Sequence, residues 1–159
     1  MAKLILICGK LCSGKTTYAK QLCRERRAVL LSVDELMLAM HDPYLGDRHD
    51  KIAARAREYL YDKAFAVIAA GVDVVLDWGF WTKQMRREAI SRCAEENVAF
   101  EWHGVFPNDA VWHERIAKRN AGIMRGVETG YIVDDGLMAK FQNMFEMPER
   151  SEMKVWISC

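Results

Sequence analysis

The chain has 159 residues, 51% hydrophobic and 28% charged, with a formal net charge of +1. That size supports one domain with one sizeable core, expected to span residues 1–159. The near-neutral balance excludes a global basic field for gathering nucleic acid, and no apolar run approaches a membrane span.

The N-terminus carries no signal-peptide pattern, so a cytoplasmic protein with no membrane partner is expected. Five cysteines, Cys8, Cys12, Cys23, Cys93 and Cys159, are scattered, with no C-x-x-C pair and no zinc spacing. They are expected to be reduced thiols.

The apolar run Leu4-Ile5-Leu6-Ile7 anchors a strand expected over residues 3–8. It leads into Gly9-Lys10-Leu11-Cys12-Ser13-Gly14-Lys15-Thr16, a full match to G-x-x-x-x-G-K-[ST], and a helix is expected over residues 14–26. Strand, glycine-rich turn and helix start form the context of a phosphate-binding loop. A triphosphate is a dense anion, and a helix N-terminus offers unpaired N–H groups and the positive end of a dipole. The pattern therefore predicts a nucleoside triphosphate site formed by residues 9–16 and Thr17, with Lys15 reaching the β and γ phosphates and Thr16 ligating magnesium. Cys12 reads as a small side chain filling a loop position; a reactive thiolate favoured by Lys15 and the helix N-terminus is the alternative.

A second strand is expected over residues 29–33. Asp34 follows it and opens a short helix through Met40, either as its N-cap or as a carboxylate that accepts a hydrogen bond from an acceptor hydroxyl. Glu35 is a weaker candidate for that role. Residues 41–47 read as a loop broken by Pro43 and Gly46. Ile52, Ala56, Tyr59, Leu60, Ala64, Val67 and Ile68 recur at helical spacing, so a helix is expected over residues 50–70, capped by Gly71. Residues 72–76 form a third strand closing on Asp77, the shape of a strand-end carboxylate that orients magnesium; a turn cap is the alternative.

Thr82 is expected to cap a helix to about residue 95, before a fourth strand over residues 98–105. Asn108 or Asp109 caps a helix to about residue 119. A further helix is expected over residues 134–145 and a last strand over residues 153–157. Alternating strands and helices predict an α/β domain, a parallel sheet with helices on both faces. Its ligands belong at the carboxyl edge, where residues 9–16, Asp34 and Asp77 converge.

Arg115 and Arg119 fall at i and i+4 on one helix face, and Gly122, Arg125, Gly126 and Gly130 follow. This reads as a basic, glycine-punctuated lid over about residues 115–135, with Arg119 on the nucleotide and both arginines facing the transferred charge. Acceptor contacts are expected from Glu35, Tyr44 and Arg48, with His41 and His49 nearby, and from Trp78, Phe80 and Trp81 after Asp77. Aromatic residues there could equally pack the core or stack nucleobases. A GTPase is excluded, because neither N-K-x-D nor D-x-x-G after the third strand is present.

With Gly9-Lys10-Leu11-Cys12-Ser13-Gly14-Lys15-Thr16, Val33-Asp34-Glu35, Val74-Val75-Leu76-Asp77, Arg115-x-x-x-Arg119-Asn120 and Phe145-Glu146-Met147-Pro148 in order, the chain resembles small P-loop kinases. The group is the AAA-type, ATP-binding kinase-like family, related to chloramphenicol phosphotransferase, zeta toxins and the kinase domain of polynucleotide kinase. The resemblance implies a three-layer α/β/α P-loop NTPase fold, a five-stranded parallel sheet of order 2-3-1-4-5 and a helical lid. It also implies ATP and Mg²⁺ as cofactors, Asp34 as the acceptor-activating aspartate, and Arg115 and Arg119 as lid residues around the phosphates. Met37 departs from the pattern: polynucleotide kinases and zeta toxins usually place an arginine there. The implied function is Mg²⁺-assisted transfer of the γ-phosphate of ATP to a hydroxyl of a small-molecule acceptor. A polynucleotide 5′-hydroxyl or nucleoside kinase, and a non-catalytic ATP-binding switch, are the alternatives.

Overall fold

The centre of the molecule is strand β1 (Leu4–Cys8), whose five residues are all fully buried. An unbroken apolar run without alternation suits a strand covered on both faces. In the computed structural model, which describes residues 1–42, 44–130 and 132–158, β1 is flanked by β3 (Val74–Gly79) and β4 (Phe100–Val105). Strands β2 (Val29–Leu30) and β5 (Val155–Ile157) form the edges, giving an all-parallel sheet of order β2-β3-β1-β4-β5. Pro43 and Cys159 lie outside the described residues; Cys8, Cys12, Cys23 and Cys93 are free thiols.

Ile5, Ile7, Val75 and Val105 point to one face and pack on Ala19 and Leu22 of α1 (Lys15–Arg26). Leu4, Leu6, Leu76 and Trp102 point to the other. There they meet Tyr61 and Ala64 of α3 (His49–Ala69) and Ala89 and Cys93 of α4 (Lys83–Glu95). Two smaller apolar clusters sit above the sheet. One joins Val33 and Met37 of α2 (Val33–Met40) to Ala53 and Leu60 of α3. The other joins Trp112 and Ile116 of α5 (Asp109–Met124) to Val133. The last helix is α6 (Asp135–Met144). No helix among the described residues is long and apolar enough to cross a membrane.

Helix caps explain most boundaries. The Thr82, Asn108 and Asp134 side chains each accept the backbone N–H three residues on, starting α4, α5 and α6. Asp109 is thus a first-turn residue. The second strand is shorter than expected, because the Ser32 hydroxyl accepts the Glu35 N–H and turns the chain into α2 early. Asp34 is therefore no cap; it stands exposed in the first turn of the helix. Helix α5 also outruns its expected end near residue 119 and includes Gly122, which is buried against the Glu128 side chain.

One polar group is set into this frame. Glu101 faces α1, with its side chain 4% exposed, and pairs with Lys3 at 3.4 Å, Arg26 at 2.6 Å and Lys154. Burial alone would push this carboxyl up, but hydrogen bonds from Lys154 and Arg26 and the nearby charges hold it down at about 2. His103 Nε2 lies 3.2 Å from Glu101, and His103 Nδ1 lies 2.7 Å from the Tyr18 hydroxyl. Burial pushes the His103 pKa down against the pull of Glu101. A neutral ring that donates from Nε2 to Glu101 and accepts at Nδ1 from Tyr18 satisfies all three groups.

Candidate active site

Residues 9–16 lead from β1 into α1, and four of their carbonyls are held by side-chain donors, three from outside the turn and one from Lys15. The indole N–H of Trp81 donates to the Gly9 carbonyl at 3.1 Å and that of Trp112 to Leu11 at 2.6 Å. Lys15 Nζ donates to the Lys10 carbonyl, and Arg115 Nη1 to Ser13. The Gly9 and Ser13 N–H groups donate to the Gly79 and Lys10 carbonyls, so an anion held by this loop would draw on its other amides and on the N-terminus of α1. Gly14, at φ +98°, and Cys12, at φ +58°, supply the left-handed turns. Gly9 is tighter still: a Cβ there would lie 2.5 Å from the Val105 carbonyl and 2.7 Å from Ser13 Oγ.

Around this loop the expected groups converge. Thr16 Oγ1 donates to Asp77 Oδ2 at 3.2 Å, joining the start of α1 to β3, which runs two residues past the expected close at Asp77. Burial raises the Asp77 pKa, against the opposing charge of Lys15, while Asp34 adds to the rise. Burial likewise lowers the Lys15 pKa, and the charges of Asp34 and Asp77 restrain it. The amine thus feels both carboxylates. Thr16 and Asp77 are hard oxygen donors side by side, and they suit magnesium, which takes few protein ligands and completes its shell with phosphate oxygens and water. No cluster of three or more His, Cys, Asp or Glu suited to a metal exists among the described residues, so an all-protein metal cage is not formed by them.

Helix α5 closes one side. Besides Arg115 on the Ser13 carbonyl, Arg119 Nη1 lies 3.3 Å from Cys12 Sγ. Asn120 clamps the segment beyond: its Oδ1 accepts the Val133 N–H at 2.9 Å and its Nδ2 donates to the Val133 carbonyl at 2.7 Å. Lys10 places its amine 4.6 Å from the Trp112 ring centroid. Thr17 is exposed on α1.

A pocket of about 50 Å³ opens beside the loop, lined by Leu11, Asp34, Met37, Leu38, Asp42, Leu45, His49, Arg119 and Gly130. It brings together Asp34 and Arg119, as expected, and His49. The other expected acceptor residues lie elsewhere. Glu35, Tyr44 and Arg48 are exposed and do not line this pocket. Phe80 is 1% exposed and packs edge-on to Trp102 at 5.0 Å, so its ring belongs to the core and not to a pocket wall. Trp78 donates to the Leu31 carbonyl at 2.8 Å and packs against Tyr61. Trp81 braces Gly9 and sets its ring on Phe141. The cause is the backbone: positive φ at Gly79 (84°) and Phe80 (46°) turns the segment after Asp77 back under the loop. Met37, the position where the resemblance places an acceptor-site arginine, does line the pocket; Leu38, Asp42 and Leu45 carry no sequence signal that separates a pocket wall from core or loop.

A family model described as an AAA domain matches residues 4–130 of the chain. The chain belongs to this family. No curated protein sequence matches this AAA domain chain. Solved structures do share its fold. The APS kinase of Mycobacterium tuberculosis, in complex with AMPPNP and APS, is 17% identical with a TM-score of 0.68, covering 99% of this chain and 88% of its own. Kti12 of Chaetomium thermophilum, in complex with ADP-AlF3, is 20% identical with a TM-score of 0.71, over 98% and 88% of the two chains. A gluconokinase from Sinorhizobium meliloti is 16% identical with a TM-score of 0.63, over 98% and 82%. At these identities the likeness establishes that this AAA domain has the P-loop kinase-like fold.

Proposed function

We propose that this chain is an ATP-dependent phosphotransferase that moves the γ-phosphate to a hydroxyl of a small molecule with Mg²⁺. The observation that carries the reading is Asp34, which stands in a pocket shared with Leu11 of the phosphate loop and with Arg119. A carboxylate there can accept the hydrogen bond of an acceptor hydroxyl and align its oxygen with the phosphoryl group. Kinases among the proteins of the same fold support the reading.

Each residue then has a task. The amides of residues 9–16 other than Gly9 and Ser13 orient the phosphates, and Lys15 leaves the Lys10 carbonyl to reach the terminal ones. Thr16 and Asp77 would hold Mg²⁺, which, when bound, neutralises charge across the β and γ phosphates. Arg115 and Arg119 approach from α5 and face the charge on the transferred group. Helix α5 and the segment pinned by Asn120 cover this side and limit access of water.

The test is ADP release from ATP with Mg²⁺ across alcohols of several classes, including nucleosides, sugars and 5′-hydroxyl oligonucleotides. Acceptor-dependent release is expected, lost in Asp34→Asn with nucleotide affinity within about threefold of the parent, because a hydroxyl-aligning carboxylate acts on transfer and not on nucleotide binding. Full transfer by Asp34→Asn would remove Asp34 from the reaction. Slow, acceptor-independent hydrolysis throughout would favour a nucleotide-binding switch. Release with the oligonucleotide alone would make the acceptor a nucleic-acid end.

A further inference from the structure

The pocket walls bear on what the acceptor is. Four of its nine lining residues are leucine or methionine, Leu11, Met37, Leu38 and Leu45. Hydroxyls of a polyhydroxylated sugar that fall against these walls would find no protein partner there, whereas a hydrocarbon segment would. The charged side chains are Asp34, Asp42 and Arg119, with His49 as the fourth ionisable group. Arg119 directs a guanidinium N–H to Cys12 of the phosphate loop at 3.3 Å, on the nucleotide side. The phosphates of a bound nucleotide add further negative charge. An anionic acceptor would therefore meet two carboxylates and a triphosphate against the one guanidinium of Arg119, while a cation would find Asp42 with no role in phosphoryl transfer.

We propose that the acceptor is a hydroxylated amine, its protonated nitrogen held by Asp42 and its hydrocarbon body lying on Met37, Leu38 and Leu45. This rests on the phosphotransferase reading for the hydroxyl and on the pocket chemistry for the amine. Asp34 lies in the first turn of α2 and Asp42 just beyond its end at Met40. At the helical rise, residues 34 to 40 alone span roughly 9 Å. The hydroxyl and the nitrogen then sit at opposite ends of a chain or ring, not on neighbouring carbons.

Matched probes separate the possibilities: 6-amino-1-hexanol, 1,6-hexanediol and 6-hydroxyhexanoate, and the corresponding 1,4-disubstituted cyclohexanols. Binding is measured calorimetrically on the full chain with Mg²⁺ and a non-hydrolysable ATP analogue, and ADP release is measured in parallel with ATP. The amine of at least one series is expected to bind at least about tenfold tighter than its neutral and anionic partners, the scale of one charge contact within a partly closed site. Asp42→Asn should erase that preference and Asp42→Lys should turn it toward the hydroxy acid, with thermal midpoint and nucleotide affinity reported for both as controls on folding. Equal or reversed ranking, no measurable binding of either amine, or a preference that survives in Asp42→Asn overturns the inference. Amine-selective binding without ADP release would keep the ligand chemistry and sink phosphotransfer. ADP release that favours the diol or the hydroxy acid would keep phosphotransfer and sink the amine.

Discussion

Replacing Glu101 by glutamine keeps the shape of the side chain and removes the charge that Lys3, Arg26 and Lys154 surround. Holding this carboxyl at about 2, instead of the ordinary 4.5, corresponds to about 3 kcal/mol of folding free energy at neutral pH. The lysine and arginine side chains are 33%, 33% and 57% exposed, so solvent screening brings the expected loss in Glu101→Gln to about 2 kcal/mol. The sign with pH follows from the depressed value. The stabilisation is present above 4.5 and drains away as pH falls from there through 2, below which the carboxyl is protonated in both folded and unfolded chains. His103, kept neutral by burial, adds no compensating positive charge at neutral pH. Urea unfolding of parent and variant at about pH 7 and about pH 3 measures the difference. The gap should be about 2 kcal/mol at the higher pH and clearly smaller at the lower. A gap of the same size at both values, or a variant as stable as the parent at neutral pH, would refute the account of this cluster.

Phe80→Ala should cost about 3–5 kcal/mol in denaturant unfolding, the range for a fully buried ring; a loss below about 1 kcal/mol would contradict its place in the core. Gly9→Ala should weaken nucleotide binding at least about tenfold by calorimetry, because its methyl group collides with the immovable Val105 carbonyl. Gly71→Ala, which meets nothing within 4 Å, should leave nucleotide affinity unchanged and show only the cost of a positive φ. Trp81→Phe keeps most of the packing on Phe141 but removes the donor to Gly9, so a stability loss of about 1 kcal/mol and a severalfold weaker nucleotide affinity are expected.

Much of this architecture was readable from local chemistry. An uninterrupted apolar run followed by the glycine-lysine-threonine turn places β1, the phosphate loop and α1, and Thr82, Asn108 and Asp134 mark helix starts through a side-chain oxygen that any reader can find. The parallel sheet follows from alternation. Other features depended on competition that spacing does not reveal. Ser32 outcompetes Asp34 as the cap of α2, which shortens β2 to two residues. The segment from Trp78 to Trp81 has aromatic residues at a strand end, where a binding wall is a natural guess. Two consecutive positive φ values fold it inward instead, so its rings fill the core and brace the loop. The pocket was half legible: Asp34 and Arg119 declared themselves by charge and position, whereas Leu38, Asp42 and Leu45 join it only because α2 and the chain beyond it stand beside α5.

The central position of β1 also governs how the chain is made. Its neighbours in the sheet begin pairing at Val74 and Phe100, both partners of Leu4. During synthesis at about 5–20 residues per second, the Leu-Ile-Leu-Ile run therefore leaves the ribosome several seconds before β3 exists to receive it. An apolar strand with strong β propensity and no charge is a template for pairing between nascent chains in that interval. The local contacts of α1 and the phosphate turn form at once, but the sheet must wait for contacts distant in sequence, which slows folding. Yield on refolding should accordingly fall with chain concentration, and a holdase that covers the first strand should restore it.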